Sequence, residues 1–201
     1  MDPTTLAVYD AEAERFAQTQ RSKTPLALQR QVLAAFVPGQ PTVDVGCGSG
    51  RDTAWLVAAG FPTVGYDGSI GMVAAARAAY PELDLRHDTL PHLATIPDEG
   101  YTNVLCSAVL MHLPSEALAP AVAGLARIMR RGGRLVLTYR ASETTTPREP
   151  DGRLYTPIDQ DELAQCCAAS GLHVLKQDVE ADGGRVGVHW SIVVAERLSQ
   201  A

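Results

Sequence analysis

Residues 43–52 read Val-Asp-Val-Gly-Cys-Gly-Ser-Gly-Arg-Asp, a β-branched run that feeds three alternating glycines and then helix-forming sequence. Glycine at Gly46, Gly48 and Gly50 lets the main chain approach a ligand closely and leaves free N–H groups aimed at it. The segment therefore predicts a strand, a ligand-cradling loop and a helix N-terminus in succession. Spacing narrows the ligand. A dinucleotide fingerprint, Gly-x-Gly-x-x-Gly, would need glycine at position 51, where this chain has Arg51, and that departure disfavours a nicotinamide-dependent oxidoreductase. The next apolar run ends at Asp67, whose carboxylate can accept both hydroxyls of a ribose.

Around this loop the chain alternates. Short β-branched runs at 42–45, 63–66, 83–86, 103–106 and 135–139 are separated by Ala-rich helical stretches, the pattern of right-handed β-α-β crossovers and a mostly parallel sheet with helices on both faces. Gly60 closes the first crossover helix, Pro81 follows the second, and Gly132-Gly133 turns the chain out of the fourth. Before the sheet, Asp10 is expected to cap a helix over 11–16, and Thr24-Pro25 to start another ending near Val37. After it, a helix over 159–170 stops at Gly171 and a strand forms around Val174. A turn at Asp182-Gly183-Gly184 leads directly into a strand over 186–195, so the last two strands should form an antiparallel hairpin on the sheet edge. The Thr-, Pro- and charge-rich stretch 142–152 reads as a long, functional or mobile loop.

With 201 residues, 46% hydrophobic and 20% charged, the chain fits one globular domain with a full core. Its net charge of −6 argues against nucleic acid as a partner, since that affinity comes largely from clustered Lys and Arg. No apolar run approaches the roughly 18 residues of a membrane span, and no export segment is expected. Cys47, Cys106, Cys166 and Cys167 show neither a Cys-x-x-Cys spacing nor a disulfide ladder, which suits a reducing cytoplasm. The histidines show no metal-ligand spacing, so no metal is expected.

The glycine segment resembles the first motif of class I S-adenosylmethionine-dependent methyltransferases, in their small-molecule branch, and the resemblance continues in register. Asp67 matches the acidic ribose ligand, and His87-Asp88-Thr89-Leu90 is similar to the segment whose Asp holds the adenine amino group. Residues 102–114 resemble the fourth strand and 125–139 the Gly-Gly turn and fifth strand. Thr102 and Arg131 depart from the family's usual Asp and Pro. Gly68 stands where a bulky apolar residue often packs on adenine, so Ile70 or Leu90 would have to supply that contact. The resemblance implies a Rossmann-like, doubly wound, three-layer α/β/α fold. Its seven-stranded sheet would be mostly parallel with a C-terminal antiparallel strand. Residues 40–196 would bind the cofactor, with residues 1–39 as a helical lid. The implied cofactor contacts are Gly46, Cys47, Gly48, Gly50, Arg51, Asp67, Gly68, Asp88, Thr89, Leu90 and Cys106.

Methyl transfer from an already activated sulfonium asks mainly for alignment and exclusion of water. Arg51 can pair with the cofactor carboxylate, and Cys47 and Cys106 read as small residues packed beside the cofactor. His112, after the fourth strand, is a candidate base, with the alternative of a packing or capping histidine. Tyr9, Phe16, Arg140 and Tyr155 are the substrate candidates, on segments able to close over the site. The arginines of the 140–155 stretch lie among acidic residues, so a solvated loop is the plainer reading there. The sequence thus points to methylation of a small molecule by a monomer or homodimer. The alternative is a non-catalytic module that binds S-adenosylmethionine to sense it or to support a partner enzyme.

Overall fold

Thr42, Val43, Asp44 and Val45 are all buried, which places strand β1 (Thr42–Val45) in the interior of a sheet. The computed structural model describes residues 1–141, 147–182 and 188–199. Ahead of β1 lie three helices, α1 (Pro3–Ala11), α2 (Ala13–Arg21) and α3 (Leu26–Ala35). After it come α4 (Arg51–Ala58), β2 (Thr63–Asp67), α5 (Ile70–Ala79), β3 (Asp84–His87), β4 (Tyr101–Ser107), α6 (Leu118–Ile128) and β5 (Met129–Arg140). The chain ends in α7 (Gln160–Ala169), β6 (Leu172–Ala181) and β7 (His189–Arg197).

These strands make one seven-stranded sheet in the order β3-β2-β1-β4-β5-β7-β6. Strands β1 to β5 pair in parallel, and β7 runs antiparallel between β5 and β6. This is the expected doubly wound α/β sheet with its C-terminal antiparallel strand. The tip of the hairpin, including Gly183-Gly184 and residues 186–187 of the expected strand, lies outside the described residues. Residues 142–146 of the expected loop lie outside them too.

Alternate side chains send each strand to two cores. One face of the sheet, with Val43, Val104, Leu135 and Leu137, packs against Val122, Leu125 and Ile128 of α6 and Leu163 of α7. The other, with Leu105, Val136, Ile192 and Val194, packs against Leu28 and Val32 of α3 and Leu56 of α4. Burying each such side chain stabilises the fold by about 1.5–3 kcal/mol. Winding reverses between β1 and β4, and a crevice opens at the carboxyl ends of these strands.

Two expectations need correction. Asp10 does not cap a helix over 11–16: helix α1 already starts at Pro3, capped by Asp2, whose carboxylate accepts from Thr5 N at 2.8 Å. The Asp10 carboxylate instead accepts from Ser69 Oγ at 2.6 Å and Gly71 N at 2.9 Å, tying α1 to the start of α5. The pair Gly132-Gly133 does not turn the chain out of α6 either. Strand β5 begins at Met129 and carries the pair as a bulge, where its register with β4 jumps from Tyr101↔Met129 to Asn103↔Arg134.

Candidate active site

The crevice is a cavity of about 920 Å³ whose floor is the glycine loop and whose roof is α1 and α2. Gly46 has φ +76°, and a Cβ on it would come within 2.2 Å of Val109 Cγ2, so no other residue fits between β1 and the segment after β4. The loop is held to the end of β2 by Asp67, which accepts Gly48 N on one oxygen and Ser69 N on the other, each at 2.8 Å. Burial pushes the Asp67 carboxyl up from its usual range, and the two N–H donors act against that. Each oxygen keeps a further lone pair for a ligand hydroxyl. Beside Asp67, a Cβ on Gly68 would meet Thr89 Oγ1 at 2.9 Å and Leu6 Cδ2 at 3.2 Å. Leu6, from α1, thus supplies the apolar wall here and lines the cavity. Ile70 points to solvent at 67% exposure, and Leu90 is a core residue away from the cavity.

Several other expected contacts are placed elsewhere. The Asp88 carboxylate accepts Thr89 N, Ala94 N, Thr95 N and Thr95 Oγ1 at 2.6–3.2 Å, so its lone pairs are committed to the turn after β3. Burial works to raise its pKa, and these hydrogen bonds outweigh burial and hold the carboxyl low. Asp88, Thr89, Leu90, Cys106 and Gly50 do not line the cavity; Gly50 is the left-handed N-cap of α4, and Cys106 sits in the apolar core. Arg51 lines it, but its planar fork is spent on Asp52, with Nε and Nη2 at 2.9 and 2.7 Å from the two oxygens. Gln20, which no motif in the sequence singles out, comes from α2 and accepts Ser49 N through Oε1 at 2.9 Å and Arg51 Nη1 through its main-chain carbonyl at 3.1 Å.

The other end of the cavity is a polar array among aromatic rings. His112 sits on the single turn Leu110–His112 after β4 and is buried. Its Nδ1 lies 2.7 Å from the Leu154 carbonyl oxygen, which only accepts, so Nδ1 carries the proton and Nε2 the lone pair. The Tyr9 hydroxyl, 3.2 Å away, donates to Nε2. Arg153 Nη1 donates in turn to Tyr9 Oη at 3.1 Å and Tyr155 Oη at 3.4 Å, while its guanidinium pairs with Asp151 at 2.9 Å and lies 4.6 Å from the Phe16 ring centre. Burial pushes His112 down to about 4 and Tyr9 up to about 12, so both are neutral at physiological pH. Tyr9, Phe16, His112, Arg153 and Tyr155 line the cavity together. Arg140 lies behind Tyr155, 5.1 Å from its ring centre, and pairs with Glu149 rather than facing the ligand space.

Residues 43–137 match the family model described as a methyltransferase domain. Among curated relatives, the chain is 33% identical over 138 residues to an uncharacterized 37.1 kDa protein in a Streptomyces fradiae transposon, covering 64% of this chain and 39% of that one. It is 30% identical over 154 residues to the ubiquinone biosynthesis O-methyltransferase of Hahella chejuensis, covering 75% and 60%. The chain thus spans about two-fifths to three-fifths of the length of these relatives. Its fold is that of a Burkholderia thailandensis 1,6-didemethyltoxoflavin-N1-methyltransferase, solved with 1,6-didemethyltoxoflavin and S-adenosylhomocysteine bound, at TM-score 0.74 and 18% identity over 98% of this chain and 88% of that one. It is also the fold of the [4+2]-cyclase SpnF, at TM-score 0.67 and 19% identity over 87% and 82%. Residues 43–137 thus form a methyltransferase domain, set in a sheet with the fold of S-adenosylmethionine-dependent methyltransferases.

Proposed function

We propose that the chain transfers a methyl group from S-adenosylmethionine to a small-molecule acceptor by direct displacement. The observation that carries this reading is one cavity running unbroken from the glycine loop and Asp67 to the Tyr9–His112–Arg153 array. The residues fit the cofactor: Gly46 lets the loop turn tightly against Val109 at the cavity floor, Asp67 offers free lone pairs for ribose hydroxyls, and Leu6 offers an apolar wall beside Gly68. When bound, S-adenosylmethionine supplies a methyl carbon already activated by its positive sulfur. The chain's task is then to bind, align and exclude water. Residues 1–39 act as a lid over the crevice, and Tyr9, Phe16 and Tyr155 enclose the acceptor. A volume of about 920 Å³ suits a cofactor and a compact acceptor together.

An enclosed polar array at the far end favours an enzyme over a module that only senses the cofactor, because sensing leaves that end without a task. Four free cysteines support a reducing, cytoplasmic setting, and among the described residues no helix is long and apolar enough to cross a membrane. Incubating the protein with methyl-labelled cofactor and a small-molecule cell extract should label a small-molecule product. Cofactor binding without any labelled product would favour the sensing module instead.

A further inference from the structure

Resting on the methyltransferase reading above, we infer that the acceptor presents a hydroxyl, whose proton leaves through the Tyr9 oxygen to Nε2 of His112. The direction of this path is fixed from its far end. The Leu154 carbonyl takes the Nδ1 proton, so Nε2 is bare and the Tyr9 hydroxyl, 3.2 Å away, points its own proton at it. A phenol oxygen has two lone pairs. Arg153 Nη1 uses one at 3.1 Å, and the other is left for a donor entering the cavity that Tyr9 lines. A ligand group meeting Tyr9 is therefore read as a donor. Hydroxyls fit this; a thiol S–H is only a weak donor.

Basicity separates hydroxyls from amines. Burial holds His112 at about 4, and of the charged groups around it Arg153 opposes an imidazolium while Asp151 and Asp2 favour one. Such an imidazole stays empty of solvent protons at neutral pH. It is still far more basic than a protonated ether, the strong acid that forms when a neutral hydroxyl oxygen takes a methyl group, so proton transfer late in the step is downhill. A methylated basic amine, with a pKa on the order of 10, would keep its proton. The step balances as follows: the acceptor oxygen bonds to the methyl carbon while the carbon–sulfur bond breaks and its electron pair stays on sulfur. The acceptor's proton passes to the Tyr9 oxygen and the Tyr9 proton to Nε2. Tyr9 is then the catalytic residue and His112 a positioning residue and proton store behind it.

Four measurements on the full chain test this. Nitrogen-15 NMR of the complex with S-adenosylhomocysteine, with the His112 signals assigned by their loss in His112→Gln, should give a bare Nε2 and a protonated Nδ1 at neutral pH, and the Nε2 resonance should move in Tyr9→Phe. The opposite tautomer, or indifference to Tyr9→Phe, overturns the proton path. In the second, the labelled product from the cell extract is analysed for the methylated atom: oxygen is expected, and nitrogen, sulfur or carbon overturns the inference. Tyr9→Phe keeps the ring against Phe16 and should lower kcat about 10²-fold or more with the cofactor KM little changed. A loss of less than about fivefold contradicts a proton path through Tyr9. Calorimetry with S-adenosylhomocysteine keeps the two readings apart. Failure of the wild type to bind sinks the methyltransferase reading, while binding with the label on nitrogen sinks only the hydroxyl.

Discussion

Asp67 and Asp88 are both carboxylates at the ends of neighbouring strands, yet their surroundings give them opposite tasks. Asp67 is met by two N–H donors and opens onto the cavity, whereas Asp88 is met by four donors and closes a turn. Asp88→Ala is therefore expected to lower the melting temperature by about 3–8 °C, with S-adenosylhomocysteine affinity in the folded protein nearly unchanged. A tenfold loss of affinity without a thermal shift would return Asp88 to the adenine. His112 contributes a pH dependence of defined sign. Its pKa in the folded protein, about 4, lies below the ordinary value of about 6.5 in the unfolded chain, so the unfolded state binds more protons between those values. The His112 share of stability should fall as pH drops through that window, against the opposite trend of Asp44, whose carboxyl burial pushes up to about 7. The stability of the wild type relative to His112→Gln should therefore decrease from neutral pH to about pH 4, as read by denaturant unfolding at a series of pH values. Residue types and spacing made Gly46, Asp67, Tyr9 and His112 legible in the sequence. The commitment of Asp88 was not legible, because it depends on how Thr95 and Ala94 fold back seven and six residues later.

At the scale of elements, α1 is latched at both ends. Asp2 caps it and receives Arg148 through two hydrogen bonds, at 2.9 and 3.0 Å, and Asp10 grips the start of α5. The helix that brings Leu6 and Tyr9 to the cavity thus depends on partners 59 to 146 residues away. Arg148→Ala should quicken amide exchange in α1 and speed release of S-adenosylhomocysteine while leaving β1 and β4 protected. Uniform exchange across the sheet would argue against a separately latched lid. The strands were readable because β-branched runs, Gly stops and Ala-rich helices are local signals. The start of α1 had a local signal too, an Asp2-Pro3 cap and first-turn pair. The docking of α2, which sets Gln20 on Ser49 N, had none. The bulge at Gly132-Gly133 was also invisible, since a glycine pair reads equally well as a turn.

Across the whole molecule, the sheet and the short cover divide the work. Winding reverses between β1 and β4, which fixes where a cofactor can lie, and the same fold is found in proteins as different as a methyltransferase and a [4+2]-cyclase. What this chain does must come from its own cavity, where we propose that the glycine loop and Asp67 hold S-adenosylmethionine. Calorimetric titration with S-adenosylhomocysteine measures that directly. One site is expected for the wild type, weakened at least about tenfold in Asp67→Ala, because charge-assisted hydrogen bonds of about 1.5–3 kcal/mol each would be lost. No binding to the wild type, or equal binding to the variant, would contradict the account.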